Sequence, residues 1–93
     1  MLSSTEVSLK GQWRAVGGVV VADATCRRIE QLVNQYLVFV ADSPDGWSKL
    51  YRDPSDGRLW EHSYPESHVQ GGGPPALHCV TPETARQRYP NGV

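Results

Sequence analysis

Two hydrophobic rhythms alternate along this chain, and their order predicts its architecture. Gln12-Trp13-Arg14-Ala15-Val16 and Val19-Val20-Val21-Ala22 are short β-prone runs on either side of Gly17-Gly18, a pair that supplies the positive φ angles of a tight hairpin turn. Strand, turn, strand is the expectation. From there the period changes: Cys26, Ile29, Val33, Leu37 and Val40 recur at spacings of three and four, with Leu32 and Tyr36 widening the stripe. The spacing predicts an amphipathic helix over about 24–40, capped by Asp23, whose carboxylate can accept from the free amides of the first turn. Its far end has a second reading. Leu37-Val38-Phe39-Val40 is also a good strand by propensity, and Val38 and Phe39 lie off the stripe.

Ser43-Pro44-Asp45-Gly46 ends that element by turn chemistry. Trp47 to Arg52 and Arg58 to Tyr64 then flank Asp53-Pro54-Ser55-Asp56-Gly57, where proline suits a type I turn and glycine the left-handed residue after it. If Asp53 stands opposite Arg58, strand alternation puts Trp47, Tyr51, Trp60 and Tyr64 on one face and Leu50 and Leu59 on the other. Either face can be the inner one; the aromatic face is the preferred core. Residues 66–76 read as an irregular loop containing Gly71-Gly72-Gly73-Pro74-Pro75, and Leu77 to Val80 as a short strand. Thr81-Pro82-Glu83 starts a last helix, which Pro90-Asn91-Gly92 stops. The sum is an α+β fold: one small domain over 1–93 with its core at about 9–89, a mainly antiparallel sheet, one long helix packed on one face, and a short C-terminal helix.

Length and charge narrow the function. Ninety-three residues leave room for one domain. Nine Lys and Arg against ten Asp and Glu give a net charge of -1, so the electrostatic basis for non-specific nucleic-acid or acidic-membrane binding is missing. The longest apolar run, Tyr36 to Ala41, is far below the ~20 residues of a membrane span. The start, Met-Leu-Ser-Ser-Thr-Glu, has neither the basic nor the apolar region of a signal peptide, so a cytoplasmic chain is expected, with Cys26 and Cys79 as free thiols. A single bridge in an exported protein is the other reading of the cysteines.

Candidate chemistry is thin. Cys26, His62, His68, His78 and Cys79 are zinc-ligand types, but they form no Cys-x-x-Cys or His-x-x-x-His, and no metal or cofactor is expected. His78 and Cys79 are neighbours in a strand, so they point to opposite faces and cannot act as nucleophile and base. The triple glycine lacks the Lys-Ser/Thr of a phosphate loop. Glu61, His62 and His68 beside the glycine loop keep an alternative open, a small ligand-binding domain or enzyme. The hairpin carries the stronger signal. It holds four of the eight aromatic residues, and six of the ten acids lie between Asp42 and Glu66. Large rigid rings with an acidic rim suit a basic protein partner. The expected contact residues are Asp53, Asp56, Trp60, Glu61, Tyr64, Glu66, His68, Gly71, Gly72 and Gly73.

Gly11-x-Trp13, Asp23-x-x-Cys26-x-Arg28-Ile29, Asp45-Gly46-Trp47, Leu50-Tyr51-x-Asp53-Pro54-x-Asp56-Gly57-Arg58-x-Trp60-Glu61, Tyr64-Pro65-x-Ser67 and Gly71-Gly72-Gly73-Pro74-Pro75 occur in this order from Gly11 to Tyr89. Together they resemble the bacterial immunity protein family numbered 27 in polymorphic toxin systems. The resemblance implies an intracellular antidote, encoded beside a secreted toxin, that binds the C-terminal toxin domain and blocks it without catalysis. Free of toxin, such a chain is expected to be a monomer or a weak homodimer.

Overall fold

The structure, a computed structural model, describes residues 2, 5–65 and 73–90. Its strands are β1 (Ser8–Lys10), β2 (Trp13–Val16), β3 (Val19–Ala22), β4 (Val38–Asp42), β5 (Lys49–Arg52), β6 (Leu59–Ser63) and β7 (Ala76–Val80). The helices are α1 (Ala24–Gln31), which runs on through a π-helical turn at Leu32–Tyr36, and α2 (Pro82–Arg88). Five strands form one antiparallel sheet in the order β1-β7-β6-β5-β4, and β2 and β3 form a separate hairpin. The α+β class and the long-helix-on-sheet arrangement are as expected.

Local chemistry accounts for the turns and caps. Gly17 and Gly18 have φ of 57° and 82°, which lets Val16 pair with Val19. Asp23 accepts from the Cys26 amide at 2.9 Å, and Thr81 accepts from the Thr84 amide at 3.2 Å. In the central hairpin the Asp53 amide donates to the Arg58 carbonyl at 2.8 Å and Gly57 has φ 78°, so Tyr51 pairs with Trp60 in the expected register.

The helix ends earlier than its periodicity predicts. The Leu37 amide donates to the Leu32 carbonyl at 2.7 Å, closing the wide π turn, and Leu37 is already extended at φ -73°, ψ 146°. Val38 to Asp42 then pair with β5 as an edge strand. The β-branched and aromatic run follows its strand propensity because β5 offers a partner for its backbone. β1 is a further addition: Ser8, Leu9 and Lys10 pair with His78, Leu77 and Ala76.

Both sheet faces are core. Under α1 and the π turn lie Tyr51, Trp60 and Leu77 with Ile29, Leu32 and Leu37. Under α2, Leu50 packs with Ala85 and Tyr89, bordered by Leu59 and Val80. Each of these large side chains removed from water contributes about 1.5–3 kcal/mol. The choice between an aromatic and an aliphatic inner face is thus resolved by two helices, one for each.

Candidate functional site

Three of the expected contact residues point inward. Trp60 and Asp53 are fully buried and Glu61 is 1% exposed, so none of the three offers its side chain to a partner. Each is withdrawn for a physical reason. Trp60 is the largest side chain under α1, and the Arg58 guanidinium lies over its ring at 5.0 Å. Asp53 sits in the hairpin turn, where its Oδ1 accepts from the Ser55 amide and hydroxyl, both at 2.8 Å, and from the Tyr36 hydroxyl at 2.6 Å. Burial pushes this carboxyl up, but those bonds and the nearby Arg58 charge outweigh it and hold the group below the ordinary carboxylate value.

Glu61, itself buried, lies at the centre of a polar cluster between β6, β7 and α2. Its Oε1 meets His78 Nε2 and Arg88 Nη1, each at 2.9 Å, and its Oε2 accepts from the Tyr89 hydroxyl at 2.7 Å. Desolvation raises its pKa; the bonds from His78 and Tyr89 and the charge of Arg88 lower it further than that, so Glu61 stays ionised inside the fold. Tyr89 is pushed the other way, by burial and by donating to this carboxylate. Glu61 is therefore a strut that fixes α2 to the sheet. Its neighbour His62 is on the opposite face, beside Tyr51 and Tyr64, so the two cannot share one acid–base site.

Asp56 is exposed and paired with Arg58 Nε at 2.6 Å, and Tyr64 is 40% exposed. Gly73 is buried with φ 75°, and the following Pro75 carbonyl accepts from the Gly11 amide at 2.9 Å. The described end of the glycine loop is thus anchored against the chain itself. Glu66, His68, Gly71 and Gly72 lie outside the described residues.

The surface also carries residues that the sequence reading did not select for contact. α1 packs over β1 and β7, while towards the β4 edge and past the end of β6 the same sheet face keeps two rings exposed, Phe39 and Tyr64. There the rings of Phe39, Tyr51, His62 and Tyr64 run across three strands, with successive centroids 5.8, 6.3 and 5.3 Å apart. Phe39 is 51% exposed, and Trp47, in the turn before β5, is 66% exposed. A signal for Phe39 was present: it lies off the helical stripe.

Among the described residues no group of three or more His, Cys, Asp or Glu could hold a metal ion, and no helix is long and apolar enough to cross a membrane. Cys26 and Cys79 are free thiols. Cys79 packs against the α1-side core while His78 binds Glu61 on the other face, the opposition expected of neighbours in a strand. A family model described as Immunity protein 27 matches residues 15–81. Comparison with curated proteins gives no match, and neither does comparison with solved structures.

Proposed function

The chain belongs to the Immunity protein 27 family, and from that premise we propose that it is the antidote to a cognate bacterial toxin domain, which it neutralises by covering the approach to the toxin's active site. One observation carries this reading: the fold ties up its reactive groups and exposes its adhesive ones. Both oxygens of Glu61 and Oδ1 of Asp53, on the carboxylates nearest to acid–base use, are held by internal donors, while the rings of Phe39 and Tyr64 stand exposed on the sheet. Such a surface suits a stoichiometric binder with no chemistry of its own.

Asp56 and Tyr64 are proposed as direct contacts, together with the loop residues Glu66, His68, Gly71 and Gly72, with Gly73 at the loop's anchored end. Asp53, Trp60 and Glu61 take the supporting role: they fix the hairpin from within. An ordinary interface covers about 800 Å² per partner, enough to close an active-site mouth by shape alone. Affinity then rests on a few buried anchors and a slow off-rate. The proposed place of action is the cytoplasm of the producing cell, where the free chain is a monomer or weak dimer.

The direct experiment is co-expression with the toxin gene encoded beside this chain. Survival of the cells and co-purification of the two proteins are expected. Death of the cells with no complex recovered refutes the proposal.

A further inference from the structure

Resting on that antidote reading, we infer that the aromatic band on the exposed edge of the α1 sheet face docks a cationic, arginine-bearing surface of the toxin domain. The band already holds one cation. Lys49 Nζ lies 5.6 Å from the centre of the Phe39 ring, and its charge is answered by Asp42 Oδ1 at 2.5 Å. Two carboxylates border the rings: Asp42 at the end of β4, paired with Lys49 and close enough to Tyr51 to act on it electrostatically, and Glu30 on α1, which acts on His62 in the same way. Against them stands the ammonium of Lys49. Ring faces carry negative potential, and a planar guanidinium stacks on them more readily than an ammonium does. Arginine is therefore the side chain that best satisfies rings and rim together.

A second copy of this chain is a poorer occupant, because a two-fold contact would set one acidic rim, Asp42 and Glu30, against another of the same sign. Backbone pairing along β4 is also disfavoured. The strand's register shifts between Phe39 and Ala41, a bulge that interrupts an added strand, so side chains rather than amides are what this edge offers.

The test uses the purified chain and an inactivated form of the toxin domain encoded beside it, with affinity and association rate measured at low and high salt. Phe39→Ala and Tyr64→Leu are each expected to weaken binding by about 30-fold. Tyr64→Phe, which keeps the ring, stays within about threefold of the original. Glu30→Lys, on the exposed helix surface, slows association at low salt and leaves the rings untouched. Val19→Ser, on the separate hairpin, changes nothing. Melting curves of all variants check that lost binding is not lost folding, and Glu30→Lys keeps the test alive if a ring variant unfolds.

Each contrary result has a separate meaning. If the unaltered chain forms no complex, the antidote reading falls and this inference with it. If it binds and the ring variants bind equally well, the band is not the interface. Tyr64→Leu binding as tightly as Tyr64→Phe overturns the cationic partner, and a dimer of the free chain that the ring variants dissolve assigns the band to self-association instead.

Discussion

Replacing Glu61 by Gln tests whether the buried carboxylate holds α2 to the sheet. The side chain keeps its shape and loses its charge, so three donors face a neutral amide: His78 Nε2 and Arg88 Nη1 at 2.9 Å and the Tyr89 hydroxyl at 2.7 Å. Bonds to a charged group contribute about 1.5–3 kcal/mol each. The loss is smaller than three such bonds. The His78 and Arg88 side chains are 36% and 51% exposed and can turn to water, and the Tyr89 hydroxyl retains the amide oxygen as acceptor. A destabilisation of about 2–3 kcal/mol follows, which for a domain of this size lowers the melting temperature by roughly 10–20 °C. Tryptophan fluorescence during heating at neutral pH reads it directly. The pH dependence adds a second check. Because the Glu61 pKa is lowered in the fold from its ordinary 4.5, its stabilisation is fully present above that value and is lost as pH falls through the folded-state value. The gap between the two proteins is therefore widest above pH 4.5 and closes in acid. A Glu61→Gln chain that melts within about 2 °C of the original at neutral pH refutes the structural role.

Gly11→Ala puts a Cβ 2.5 Å from Cys26 Sγ and 2.8 Å from the Pro75 carbonyl oxygen, so urea unfolding should show a loss of about 1–3 kcal/mol. Asp53→Ala removes the shared acceptor of Tyr36 and Ser55, and an equilibrium unfolding free energy lowered by about 2 kcal/mol is expected. Combined with Tyr36→Phe, it should cost less than the sum of the two single changes. Asp23→Ala deletes the α1 cap and should cost about 1 kcal/mol in the same assay.

What could be read from the chain alone was the local chemistry. Asp53-Pro54-Ser55-Asp56-Gly57 fixes its own turn, and once Asp53 faces Arg58 every pair in the hairpin is determined. Gly17-Gly18, Asp23 and Thr81 likewise act through neighbours a few residues away. The end of α1 was not decidable in this way. Leu37 and Val40 continue the helical stripe while Val38 and Phe39 fit only a strand, and the strand wins through pairing with β5, a partner further along the chain. Ser8-Leu9-Lys10 has one apolar residue, and only β7 makes it a strand.

The same distinction governs the candidate site. A glutamate in an acidic hairpin reads as surface, and nothing near Glu61 in the chain announces the burial that Arg88 and Tyr89 make tolerable from α2. Phe39 shows the converse. The predicted helix span covers it although it lies off the stripe, and the strand carries its ring out to the exposed edge of the sheet.

The central claim is that this chain disables another protein by staying bound to it. Titrating the chain into the active toxin domain and measuring residual toxin activity at equilibrium tests that most directly. Activity that falls in proportion to the chain added, reaching zero at a fixed molar ratio and returning when the complex is dissociated, is the predicted result. Activity that decays with time under a trace of the chain, and does not return, would mean turnover and contradict the account.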